Sequence, residues 1–174
     1  MTIRVIKVIQ RIGIFLVHKM QGSEFSLYLN KFPNFKNNFK GLYSIDQLPK
    51  TLKYRHFLIT NTDVHTGKGI HWQIFFRTTS KEIELFDSCG VNDEKKNYML
   101  KYIKFKQEII FNETPFQQND SSTCGFFVLF FAIHRLFNLD ENFSDFLSEF
   151  FSNDSAVNER QVSEFCSDIL LDKY

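Results

Sequence analysis

Cys124 closes a polar, turn-prone run, Gln117-Gln118-Asn119-Asp120-Ser121-Ser122-Thr123-Cys124-Gly125, and an apolar stretch, FFVLFFAIHRLF, starts directly after it. Ser, Asp and Asn favour caps and turns because their side chains bond nearby backbone groups. The thirteen residues from Gly125 to Phe137 read as a buried helix. They are too few to span a bilayer, which takes roughly 20 apolar residues. Cys124 therefore stands at or near a helix N-terminus, where backbone N–H groups and the helix dipole stabilise a thiolate. Such a place suits a nucleophile. A free cysteine is more often just a small buried hydrophobe, so the reading depends on partners.

Two partners come from a hairpin. Trp72–Arg77 and Glu82–Asp87 alternate like strands, and TTSK between them supplies a short turn. With Thr78–Ser80 as the loop, Arg77 pairs with Lys81 and His71 falls opposite Asp87. Cross-strand partners have Cβ atoms roughly 4.5–5.5 Å apart, so an imidazole and a carboxylate would stand side by side. A one-residue slip in register would break the pair. Thiol attack on an acyl carbon needs these parts. The thiolate attacks, the imidazole carries protons, and the carboxylate orients the imidazole and stabilises its cation. Donors to the developing oxyanion contribute about 3–4 kcal/mol. The side-chain amide of Gln117 or Gln118 and the backbone N–H of Cys124 are the candidates. Singly, His71 reads as a strand-end histidine and Asp87 as a turn cap; the combination carries the signal.

A length of 174 residues fits one domain, 1–174, with a real core. With 43% apolar residues and 22 phenylalanines, the chain is globular rather than disordered. Its cysteines, Cys89, Cys124 and Cys166, are odd in number and form no CxxC pair. That speaks against a disulfide framework and a zinc site, and for a reducing, intracellular compartment. Neither a metal nor another cofactor is expected. The net charge of +1 points to no nucleic-acid partner, although the charges are uneven. Residues 1–50 carry eight Lys/Arg against two Asp/Glu, and residues 136–174 carry two against nine. Oppositely charged ends can steer partners, but solvated faces are the simpler meaning.

At the N-terminus, IRVIKVIQRIGIFLVHKM lacks a long apolar run and a small-residue cleavage site, so a secretory leader is not expected. Its apolar residues recur at helical spacing with Arg4, Lys7 and Arg11 on another face, which reads as a helix packed on the domain. A membrane-surface or partner-binding helix is the alternative, and the β-branched residues keep a strand open. Lys31–Pro49 reads as irregular, residues 55–62 as a buried strand, Asp93–Lys106 as an exposed helix and Glu108–Phe111 as a short strand. The C-terminal third reads as helical, with one stripe on Phe143, Phe146, Leu147, Phe150 and Phe151 and another on Val162, Phe165, Cys166, Ile169 and Leu170. No membrane span is expected.

From about Phe32 to Phe137 the chain resembles the adenovirus-type protease, adenain, and its relatives in Polinton-like elements and virophages. These fall in a wider group that includes SUMO-specific proteases. KFPNF is similar to an FPGF segment of that family, and TNTDVHTGKGIHW to a stretch ending in GGVHW. SKEIELFDSCG resembles SKTCYLFEPFG, and QQNDSSTCGFF resembles QGPNSAACGLF. The resemblance implies an α+β, papain-like fold: a central, mostly antiparallel sheet with a buried helix carrying the nucleophile, and flanking helices. By it His71 is the base, Asp87 the orienter, Cys124 the nucleophile and a Gln the oxyanion donor. Trp72 and Gly125 are carried along as residues of the substrate cleft.

Asp87 stands where adenain has Glu, a shortening common elsewhere in the group. Adenain spacing selects Gln117, which is preferred; SUMO-protease spacing selects Gln118. No cysteine stands near Lys104–Gln107, where adenain is joined to its activating peptide. Activation through that disulfide is therefore not expected. Nor is activation by DNA, since this chain is far less basic than adenain. The last forty residues show no match. The expected function is a cysteine endopeptidase that matures capsid or other virion precursors in an infected cell, with packaging into the virion as a possibility. A ubiquitin-like-protein protease is the alternative enzyme, and a non-catalytic peptide- or capsid-binding module the alternative outside enzymes.

Overall fold

The computed structural model describes residues 19–171; the N-terminal segment read above as a helix lies outside them. Five strands form one sheet in chain order: β1 (Phe39–Ser44), β2 (Phe57–Asn61), β3 (Trp72–Phe76), β4 (Glu82–Phe86) and β5 (Glu108–Phe111). The two central pairings, β2–β3 and β3–β4, are antiparallel. The two outer pairings, β1–β2 and β4–β5, are parallel. Parallel neighbours need a crossover; for β4–β5 it is α2 (Asp93–Leu100). The other helices are α1 (Gly22–Leu29), α3 (Cys124–Phe137), α4 (Phe143–Phe150) and α5 (Ser155–Leu170). This is the expected α+β arrangement, with a buried helix set against the sheet, but the sheet is mixed, two of its four pairings being parallel where a mostly antiparallel one was expected.

Both faces of the sheet are covered, so its strands read as continuous apolar runs. All five residues of β2 are buried. Alternation sends Phe57, Ile59, Ile74, Phe76 and Phe86 into the main core under α3. Leu58, Phe75, Ile83 and Leu85 enter a second cluster with Ile45, Leu48, Leu52, Val91 and Met99. β1 lies in the stretch expected to be irregular. Its burial is only partial, with Lys40 and Leu42 exposed, as suits an edge strand. An edge strand buries too little to leave a clear alternation in the sequence.

The hairpin register differs from expectation by two residues. Ile74 pairs with Phe86 and Phe76 with Glu84, so Gln73, not His71, comes opposite Asp87. Arg77 causes the wider turn. Its guanidinium folds back onto the carbonyls of Thr79, Ser80 and Leu52, while the Thr79 hydroxyl accepts from the N–H groups of Lys81 and Glu82. A slip of two preserves the face of every side chain. His71 and Asp87 therefore still meet, on a diagonal.

Helix α3 is apolar all round from Cys124 to Ile133, as a helix inside a core must be. Phe127, Val128, Leu129, Phe131 and Ala132 are fully buried. Each buried Phe or Leu contributes roughly 1.5–3 kcal/mol. Phe86 of the sheet stacks on Phe131 at 4.5 Å between centroids and on Phe151 at 5.3 Å. Gly125 is required in the first turn because a Cβ there would lie 2.6 Å from Met20 Cβ. The far end of α3 is tied to β4 by a buried ion pair, Arg135 with Glu84.

Candidate active site

Thr123 precedes α3 as its N-cap residue, but its side chain makes no cap bond. The hydroxyl instead meets Ser121 Oγ at 2.6 Å and both carboxylate oxygens of Glu159 at 2.8–2.9 Å. The first turn of α3 is thus free of a side-chain cap at the point where Cys124 enters. Cys124 is buried, and the His71 side chain and the backbone N–H groups of Trp72 and Gly125 are the neighbours that favour its thiolate.

His71 links the cysteine to a carboxylate. Its Nε2 lies 2.6 Å from Asp87 Oδ1, and Cys124 is the other group that acts on the imidazole. Asp87 is completely buried and well supplied with donors. Oδ1 also accepts from the Cys89 N–H at 2.8 Å. Oδ2 accepts from Gln73 Nε2 at 2.7 Å, and the Lys95 ammonium stands 3.5 Å away. Asn112 brackets the Asp87 backbone, its amide accepting from the N–H at 2.8 Å and donating to the carbonyl at 2.7 Å. Gly90 makes the following turn at φ +69°, and a Cβ there would meet the Glu113 carbonyl at 2.3 Å. No other residue type fits that turn without a shift of backbone.

These contacts set the protonation states. Burial opposes charge on all three groups. For Asp87 it is outweighed by the His71 bond and charge, with Lys95 and Gln73, and the carboxyl lies below its usual range. Burial alone would lower the imidazole; the bonds to Asp87 and Cys124 raise it to about 9. Burial would raise the Cys124 thiol, but the His71 bond and charge and two backbone N–H groups bring it below the usual thiol range. The other cysteines run the opposite way. Cys89 is exposed as a residue, yet desolvation of its sulfur in the turn, followed by the charge of Asp87, pushes the thiol up to about 11; burial alone holds Cys166 far above the usual range.

A pH prediction follows. Alkylation of Cys124 by iodoacetamide should be rapid near neutral pH and stay so well below the pH at which an ordinary thiol ionises, because the thiolate forms at a lowered pKa. A reaction that also needs the imidazolium to protonate a leaving group should fade as pH rises through about 9. Cys89 and Cys166 should lag far behind Cys124 near neutrality. Mass-spectrometric mapping that finds Cys124 the least labelled of the three would contradict this ionisation scheme.

The ligand atoms of His71, Asp87 and Cys89 all lie within 4.8 Å of one another. A cation there would have to displace the donors that already fill Asp87 and sit beside the Lys95 ammonium. The donor set therefore suits a hydrogen-bonded acid–base pair better than a metal ion.

The structure separates the two glutamines. Gln117 is buried; its Oε1 accepts from Ser88 Oγ at 2.6 Å and its Nε2 donates to the Ser121 carbonyl at 2.8 Å. Cys89 Sγ also reaches Gln117 Oε1, at 3.7 Å, which ties this amide to the turn after Asp87. Gln118 is exposed, and both glutamines border an open polar depression of about 600 Å³ with Asn119, Asp120, Asn153 and Ser155, so it is burial and bonding that tell them apart. Trp72 is half-buried over α1: its Nε1 donates to the Met20 carbonyl at 2.9 Å and its ring meets Phe25 edge-on at 5.2 Å. Reasoning from sequence missed Gln73, Ser88, Lys95 and Asn112. Only Gln73 had a signal, as the second residue along the strand from His71 on the same face.

No protein-family model matches the chain, and no curated protein does. Among solved structures it is similar to a protease of ASFV at 16% identity and a TM-score of 0.47, over 86% of this chain and 67% of that one. It is similar to AvrA with IP6 and CoA at 15% identity and a TM-score of 0.47, over 90% of this chain and 65% of that one. It is also similar to the SUMO protease Ulp1 with its catalytic cysteine oxidised to a sulfinic acid, at 14% identity and a TM-score of 0.47, over 99% of this chain and 84% of that one. This chain thus spans about two thirds of the first two. No helix among the described residues is long and apolar enough to cross a membrane.

Proposed function

We propose that the chain is a cysteine endopeptidase of the adenain type, with Cys124 as nucleophile, His71 as base and then acid, Asp87 as orienter and Gln117 as oxyanion donor. One observation carries the reading: His71 bonds a buried carboxylate at 2.6 Å, and the cysteine that opens the core helix has its thiol pKa lowered by that same imidazole. In this reading the thiolate attacks the scissile carbonyl and the imidazolium gives its proton to the departing amine. Water, deprotonated by the same imidazole, then releases the acyl group. The donors assigned to the charge that develops on the carbonyl oxygen are the Cys124 N–H and the Gln117 amide, through the N–H that does not bond Ser121. Its expected substrates are protein precursors of a virus-like particle.

Cleavage is expected after small residues, Gly-Gly or Gly-x, in an extended segment. Trp72 directly follows the base, and its indole is held by Met20 and Phe25 rather than free to swing aside. An indole bordering the reacting centre would narrow the cleft, and glycine allows the closest backbone approach. A random peptide library with mass-spectrometric mapping of cut sites tests this. Wild type should cut after glycine, Cys124→Ala should not cut, and Trp72→Ala should accept larger residues. Cutting that persists in Cys124→Ala would refute the peptidase reading. Ready cutting after Phe or Leu by wild type would refute the narrow cleft.

A further inference from the structure

Helix α5 belongs to the C-terminal third, whose sequence pattern indicated only packing. Two adjacent residues on it reach the loop before Cys124. Asn158 is fully buried; its Nδ2 donates to the Phe116 carbonyl at 3.1 Å and to the Ser152 carbonyl at 2.8 Å. Its Oδ1 accepts from the Ser152 N–H at 2.8 Å, so both donor hydrogens and the oxygen are engaged in this corner. Glu159 takes the other end of the loop. Its Oε1 accepts from the Gln118 N–H at 3.2 Å, and both of its oxygens accept from the Thr123 hydroxyl. Between these anchors lies Gln117, whose amide is further pinned to Ser88 and Ser121.

The chemistry says what such a clamp can do. A carboxylate cannot stabilise a developing oxyanion; it can only hold donors in place. Glu159 also holds the Thr123 hydroxyl, which makes no cap bond to α3. Donor placement matters at the level of an ångström in acyl transfer. Resting on the catalytic reading above, we propose that Glu159, with Asn158 beside it, is a positioning residue that sets the Gln117–Thr123 loop in its oxyanion-binding geometry.

The test separates acyl transfer, which uses the oxyanion donors, from alkylation, which does not. Acylation of Cys124 by p-nitrophenyl acetate and its alkylation by iodoacetamide are measured side by side in the whole chain. Glu159→Ala should slow acylation by about 10- to 100-fold, a fraction of what losing a donor costs, and leave alkylation within about twofold with an unchanged pH profile. Thr123→Val should do the same. Glu159→Gln, which keeps one acceptor oxygen, should recover part of the rate. Equal slowing of both reactions would mean that Cys124 itself has moved, and no slowing would mean that the loop holds without Glu159; either overturns the proposal. If wild-type Cys124 is no more reactive than Cys166, the catalytic reading falls instead. The clamp is then read by hydrogen exchange at the Gln118 amide, where faster exchange in Glu159→Ala supports it and unchanged exchange overturns it.

Discussion

His71→Ala should lower kcat/KM on a glycine-containing peptide by roughly 10⁵–10⁶-fold, and Asp87→Asn by roughly 10⁴-fold, the scale seen when base and orienter are removed from a triad. The imidazole does two jobs here. In the proposed mechanism it carries the proton, and its influence brings the Cys124 thiol below the usual range against the opposing effect of burial. His71→Ala removes both, so burial would then push the thiol up. Asp87→Asn leaves an oxygen that can still accept from His71, but the charge that helps raise the imidazole to about 9 is gone. Alkylation of Cys124 should therefore need a higher pH in His71→Ala than in Asp87→Asn. In the same series Gln117→Ala should cost roughly 10²–10³-fold in kcat with little change in KM, as expected for a donor used in the transition state. Gln118→Ala should cost far less, because its side chain points to solvent. Equal losses for His71→Ala and Asp87→Asn, or a larger loss at Gln118 than at Gln117, would reject this division of roles.

The largest effect on stability is expected away from the site, at Arg135. Arg135 and Glu84 are each 1% exposed. Nε and Nη2 of Arg135 donate to the two carboxylate oxygens of Glu84 at 2.8 and 2.6 Å. Thr78 Oγ1 adds a third bond to Glu84 at 2.7 Å. Nη2 donates to the Glu141 carbonyl at 2.8 Å, and Nη1 to the Asn138 carbonyl. The guanidinium lies 5.0 Å over the Phe146 ring. One side chain thus joins β4, the end of α3 and the start of α4. Arg135→Met strands a buried carboxylate and two loop carbonyls, and should cost about 3–5 kcal/mol. For a chain of this size that corresponds to roughly 6–20 °C in Tm. Glu84→Leu alone should cost a similar amount, while the double variant Glu84→Leu/Arg135→Met should recover much of it, because no buried charge is left unpaired. Urea unfolding with an unchanged slope would measure the loss. A single-variant cost below about 1 kcal/mol, or additive losses in the double variant, would show that the pair is not coupled as drawn.

Much of the candidate site was legible in the sequence because its parts are local. Cys124 announces itself by a polar loop meeting an apolar helix within a few residues. His71 and Asp87 lie on neighbouring strands of one hairpin, where face is governed by a period of two. The turn was misjudged by two residues because Arg77 widens it with contacts to Leu52, outside the hairpin. The pair survived that error because a slip of two keeps both side chains on one face.

The amino-acid sequence by itself determined which residue types are present to do the chemistry, the α+β order of elements, and the buried helix behind Cys124, all of which follow from short-range periodicity and composition. Only the tertiary structure decided which glutamine lies inside, which donors hold Asp87, and what fixes the loop before Cys124. Gln117 and Gln118 are neighbours of one chemical type, and no local rule separates them; the Ser88 hydroxyl and the Glu159 carboxylate, brought in from distant elements, do. Lys95, Asn112, Asn158 and Glu159 are polar residues of ordinary kind, three of them on helices and one at the end of β5. Their spacing carries no signal, because each contact spans a distance in sequence over which side-chain direction is set by packing rather than by the period of its own element.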